Sequence, residues 1–101
     1  MEKEIWKPIA QSLYYCGIKP IYEVSNTGMI RNVKTKRVLK LTPYRGNTNR
    51  LMVQLRDSYG IGITLLASHV IYETFIDRCY EAHVKFKDNN PSNLTINNLY
   101  I

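Results

Sequence analysis

The stretch IYEVSNTGMIRNV, residues 21–33, reads as two short strands around a tight turn. Residues 21–24 alternate like a strand, and Ser25, Asn26, Thr27 and Gly28 follow as turn formers. Asn and Ser side chains bond nearby backbone, and glycine accepts positive φ at no steric cost. From Met29 the pattern continues as a β meander: MIRNV, a turn around residues 34–36, VLKL, a loop at TPYRGNTN (42–49), RLMVQLR (50–56), a turn at DSYG (57–60) and IGITLL. Several of these runs alternate apolar with basic or polar residues, so one face is expected to be buried and the other wet.

Toward the N-terminus, Trp6, Pro8 and Ile9 precede a short helical stretch over residues 10–15, closed by Gly17 and Pro20. Toward the C-terminus, Ser68 is expected to cap a helix through HVIYETFIDRCY (69–80), with Val70, Ile71, Thr74 and Phe75 on its core face. The last twenty residues, AHVKFKDNNPSNLTINNLYI, begin as a strand, pass through an Asn-rich loop and end in a second apolar run. Five of the nine asparagines fall between Asn89 and Asn98, where side-chain-to-backbone bonds would fix an irregular loop. The expected class is α+β: a small antiparallel meander, one helix packed on it through Ile71 and Phe75, and a two-stranded element from residues 84–87 and 99–101.

With 101 residues, 45% of them hydrophobic, the chain can bury one ordinary core, and a single domain is expected over residues 1–101. Fourteen Lys and Arg against eight Asp and Glu give a net charge of +6, the balance of a protein that meets polyanions. No acidic residue lies between Glu23 and Asp57, whereas Arg31, Lys34, Lys36, Arg37, Lys40, Arg45, Arg50 and Arg56 all do. Such a run suits duplex DNA, and it also suits a hairpin surface kept soluble by its charges. There is no charged-then-apolar leader and no apolar run near membrane-spanning length, and Cys16 and Cys79 stand outside any CxxC spacing. A cytoplasmic protein with free thiols and no membrane partner is expected, a Cys16–Cys79 disulfide being the alternative.

Two groups of segments resemble parts of one arrangement. Trp6 and Ile9, followed by Tyr22, Glu23, Val24, Ser25, Asn26, Gly28, Ile30 and Arg31, resemble the nuclease-associated modular DNA-binding motif W-x-x-I … Y-E-V-S-N-x-G-x-I-R. This motif opens phage and homing HNH endonucleases. The stretch between Ile9 and Tyr22 is longer here and looks like an insertion. Downstream, NRLMVQLRD, SYG, IGITLL and SHVIYETFI follow the family's order, with Ser68 at its usual His and His69 at its usual Arg. The resemblance divides the chain into a modular motif with basic meander (residues 1–56) and a truncated HNH-like part of the ββα, His-Me finger type (residues 57–101).

In such enzymes, the resemblance implies, a strand His acts as general base on the attacking water while protein ligands hold one divalent metal. Phe86 stands at the His position and accepts no proton. Lys85 replaces a metal ligand with an ammonium that repels the ion. Leu94 replaces the middle Asn, with Asn93 beside it, and Asn98 keeps the final position. The sequence stops at Ile101, before the helix that carries another ligand in many relatives. His83, three residues from Phe86, should point to the opposite strand face. His69 reads as a first-turn helix residue, and Asp88 and Asn90 as loop formers. No catalytic residue, metal or cofactor is therefore expected.

The reading that follows is a non-catalytic DNA-binding protein derived from an HNH homing endonuclease, encoded by a phage or mobile element in a bacterial host. Its DNA contacts would come from the eight basic residues named above together with Lys85 and Lys87. Two alternatives stay open. One is an inhibitor or regulator that binds a host protein through a surface rich in tyrosine, with Tyr14, Tyr15, Tyr44, Tyr59, Tyr72 and Tyr80 as candidates. The other is a residual metal-dependent HNH endonuclease.

Overall fold

The computed structural model describes residues 3–44, 47–76 and 84–101. Arg45, Cys79, Tyr80 and His83, together with the expected continuation of the helix over residues 77–80, lie outside these residues. Two three-stranded antiparallel sheets carry the meander. The first joins β1 (Trp6–Pro8), β2 (Tyr22–Ser25) and β3 (Ile30–Asn32), with β2 in the centre. The second joins β4 (Thr42–Tyr44), β5 (Asn47–Arg56) and β6 (Gly62–Leu66), with β5 in the centre. Both prolines in strands, Pro8 and Pro43, sit on edge strands, where a missing N–H removes no ladder bond.

The division into two sheets has a local cause. After β3, the Asn32 side chain accepts from the N–H groups of Lys34 and Thr35, and Lys36 adopts φ 61, so the chain turns sharply. The VLKL run then joins the first sheet through the Arg31–Val38 bridge, and Leu39 and Leu41 pack against the core. Part of TPYRGNTN, expected as a loop, pairs instead: Thr42 lies opposite Met52 and Tyr44 opposite Asn47, with a register shift after Pro43.

The helix α1 (Ala67–Phe75) follows β6 without an intervening loop. Leu66, extended and paired with Met52, is its N-cap residue and supplies no side-chain cap; Ser68 lies inside the first turn. Strand pairing thus sets the helix start where a serine cap was expected. Val70 and Ile71 are fully buried, and Phe75 packs on the rim of the core beneath the Lys7 ammonium, 5.1 Å from its ring centre. The expected stripe at residues 70, 71, 74 and 75 is the packed face, with the Thr74 hydroxyl oxygen accepting from the Ala10 N–H.

A two-stranded ribbon, β7 (Lys85–Phe86) with β8 (Leu99–Tyr100), completes the α+β fold. One core cluster takes Ile9, Val24 and Ile30 from the first sheet region, Val53 and Leu55 from the second, Val70 and Ile71 from the helix, and Leu94 and Leu99 from the last segment. Each such side chain, once buried, contributes about 1.5–3 kcal/mol before entropy is charged against it. Among the described residues, no helix is long and apolar enough to cross a membrane. Cys16 carries a free thiol.

Candidate nucleic-acid interface and the adjoining loop

The ten-residue strand β5 alternates between buried and exposed positions over residues 53–56. Val53 and Leu55 point into the core, while Arg50, Gln54 and Arg56 are exposed. In register beside them on β6, Thr64 lies opposite Gln54 and Gly62 opposite Arg56. Gln54, Arg56, Gly62 and Thr64 line an open groove of about 380 Å³ along these two strands. Strands β4 to β6 contain no carboxylate. From Arg50 to Arg56 the strand advances roughly 20 Å at about 3.4 Å per residue, the span of some six stacked base pairs.

The other basic residues divide. Lys34, Arg37 and Lys40 are exposed, as are Lys85 and Lys87. Arg31 and Lys36 are engaged. The Arg31 guanidinium lies 3.6 Å from the centre of the Trp6 ring, a cation–π distance, and its Nε donates to Glu23 Oε1 at 2.5 Å. Lys36 Nζ donates to the same oxygen at 3.3 Å. These bonds, from Arg31 first and Lys36 after it, hold the Glu23 carboxyl below the usual carboxylate range. The pairing was invisible in sequence because Glu23 and Arg31 meet only through the β2–β3 register.

The turn Ser25–Gly28 does more than reverse the chain. Asn26 is buried; its Oδ1 accepts from the Ile5 N–H, its Nδ2 donates to the Lys3 carbonyl, and its own carbonyl accepts from the Ile96 N–H. Gly28, at φ 98, packs so closely on Leu94 that an added Cβ would lie 2.7 Å from Leu94 Cβ. The modular motif and the Asn-rich loop therefore interlock through Asn26 and Gly28. Glu4 adds a clasp: it accepts from the Thr27 hydroxyl at 2.6 Å and from the Trp6 indole at 3.2 Å. The Thr27 bond is the main cause that lowers its pKa.

The HNH-like positions come together around β7. Phe86 is half-buried against the core and pairs with Leu99; Leu94 is buried; Lys85 is exposed with its ammonium 5.8 Å from the Tyr100 ring centre. Phe86, Leu94, Arg50, Ser68 and His69 share the walls of one cavity of about 90 Å³. Asn98 is buried and engaged at both ends of its amide. Its Nδ2 donates to Asp88 Oδ1 and to the Asn93 carbonyl, and its Oδ1 accepts from the Asp88 N–H. Asp88 is equally committed, accepting from Asn93 Nδ2 at 2.8 Å and from the Asn90 N–H at 2.8 Å. The Asn93 bond leads the causes that hold its pKa down.

Among the described residues around β7, this donor set does not fit a divalent cation. The one carboxylate in the loop and the Asn98 amide bond to each other, Lys85 carries positive charge, and Phe86 offers no lone pair. Among the described residues, no three His, Cys, Asp or Glu side chains gather in metal-binding range.

Comparison with known proteins agrees with this architecture. No match was found among curated proteins. Among solved structures, the chain is similar to the HNH homing endonuclease I-HmuI, studied for its DNA binding and cleavage, with a TM-score of 0.69 and 27% sequence identity. That likeness covers 94% of this chain and 50% of the other, so the protein spans about half the length of the endonuclease it matches. Residues 4–54 match the NUMOD4 motif, a nuclease-associated modular DNA-binding motif. The matched residues are those that build the first sheet, the Trp6–Arg31–Glu23 stack and most of β5, and the chain belongs to the NUMOD4 motif family.

Proposed function

We propose that this protein binds duplex DNA without cutting it, laying the exposed face of β5 and β6 along the duplex. The observation that carries this reading is the row Arg50, Gln54 and Arg56, unopposed by any carboxylate on its sheet and flanked by Thr64. Arginine and glutamine are the side chains that pair with two atoms of guanine and adenine edges, and a β ribbon fits the major groove. Lys34, Arg37, Lys40, Lys85 and Lys87, with Arg45, would add phosphate contacts that fix position and carry no sequence information. A single domain spanning residues 1–101, encoded by a phage or mobile element and acting in the bacterial cytoplasm, is part of the same proposal.

Absence of cleavage rests on Lys85, Phe86 and the engaged Asn98. Residual endonuclease activity is the second reading, favoured by the likeness to an enzyme that binds and cleaves DNA. Anisotropy titration of a labelled duplex should show affinity falling with salt at a log–log slope of about −0.9 per phosphate contact. Arg50→Glu should weaken binding and flatten that slope; a slope near zero would remove the DNA reading. Purified protein should leave plasmid DNA intact in Mg²⁺ or Mn²⁺, and Phe86→His should do the same because no ligand set holds a cation beside the new imidazole. Metal-dependent nicking that disappears in Asn98→Ala would establish the endonuclease reading instead.

A further inference from the structure

Three of the most exposed large apolar residues lie on two turns that are bonded together. Tyr15 is 90% exposed, Tyr59 79% and Ile61 63%. Tyr15 lies between β1 and β2, and Tyr59 and Ile61 lie in the β5–β6 turn. The two turns are bonded together. Ser58 donates its hydroxyl to the Cys16 carbonyl and its N–H to the Gly17 carbonyl, Ile18 bridges Asp57, and the Lys19 N–H donates to the Arg56 carbonyl. Each turn is also fixed internally. Gly17 takes φ 75 and donates to the Tyr14 carbonyl, while Asp57 Oδ1 accepts from the N–H groups of both Tyr59 and Ile61. The aromatic rings are thus held out on an ordered support.

Charge decides what such a tip would meet. Lys19 and Arg56 are exposed on either side, and the one carboxylate in residues 14–19 and 57–61, Asp57, is buried and engaged with backbone. The Tyr15 phenol is pushed up to about 12, chiefly by its bond with Tyr14, whose ring centre lies 4.7 Å away. Exposed aromatic rings flanked by cations are the composition of surfaces on which unpaired bases stack. Through Arg56, whose guanidinium donates to the Gly60 carbonyl, the tip is continuous with the proposed DNA-binding face.

We propose that the paired turns around Tyr15 and Tyr59 form a stacking tip that takes unpaired nucleobases where a DNA duplex is interrupted. This deepens the DNA-binding reading and rests on it. The test compares three probes: a continuous duplex, the same duplex with a short single-stranded gap, and the gapped duplex carrying 2-aminopurine in the gap. The wild type should bind the gapped duplex about tenfold more tightly than the continuous one and quench the 2-aminopurine. Tyr15→Ser with Tyr59→Ser should abolish both effects and leave continuous-duplex affinity within about twofold. Equal binding of the two duplexes by the wild type, with the continuous one still bound, overturns the tip alone and points the patch to a protein. Preference or quenching that survives in the double variant also overturns it. Binding to neither probe at low salt removes the DNA reading and the tip together.

Discussion

Replacing Gly28 by alanine would put a methyl carbon 2.7 Å from Leu94 Cβ on a backbone already at φ 98. Strain at positive φ and overpacking each cost about 1–3 kcal/mol, so a loss of about 2–6 kcal/mol is expected. Thermal denaturation should show a fall in Tm of at least about 8 °C; an unchanged Tm would mean that the turn and the loop separate readily. A different outcome is expected at Glu23, whose carboxylate holds Arg31 and Lys36 together. Glu23→Gln should release both cations and raise affinity for a duplex severalfold, more at low salt than at high. If affinity fell instead, Glu23 would be orienting Arg31 toward DNA rather than withholding it.

Among the elements, the β7–β8 ribbon and its loop depend on one ionised group. Asp88 accepts from Asn90, Asn93 and Asn98, and these bonds depress its pKa. A depressed carboxyl contributes stability that is present above its unfolded pKa, near 3.9, and is lost as pH falls through the lower folded value. The protection of the Asn90 and Lys87 amides from hydrogen exchange, relative to free amides at the same pH, should therefore hold down to about pH 4 and fall below it. In Asp88→Asn the acid-dependent step should disappear. Exchange that responds to acid equally in both proteins would assign the effect to another carboxyl, such as Glu4 or Glu23. Turn chemistry made parts of these elements legible in sequence, since Ser25–Gly28 and Asp57–Gly60 carry their own bonding partners. The β4 pairing and the helix start were not legible. Each depends on a strand distant in sequence: Thr42 is placed by Met52, and α1 begins where the pairing of Leu66 with Met52 ends.

On the scale of the whole molecule, the core ignores the boundary drawn by the motif. Residues 4–54 match the family, yet Val24 and Ile30 are covered by a cluster that includes Val70, Ile71, Leu94 and Leu99. A fragment of residues 1–56 should accordingly lack cooperative thermal unfolding and show narrow dispersion in its amide NMR spectrum, whereas the full chain should unfold in one transition. A well-dispersed fragment would show that the motif folds alone. The candidate site was half legible for a related reason. Charge counting singled out the basic residues, but only the register separates exposed Arg50 and Arg56 from Arg31 and Lys36, which Glu23 engages. The exposed tyrosines needed the fold too: Tyr22 is buried, while Tyr15 and Tyr59, far apart in sequence, end up on neighbouring turns.

The contact of Gly28 with Leu94, together with the bond from Ile96 to Asn26, has a bearing on descent. A loop that closes the core over the opening motif cannot drift freely, whether or not its side chains take part in chemistry. Its side chains would be retained for their shape, and a substitution at one side of that seam would have to be answered on the other.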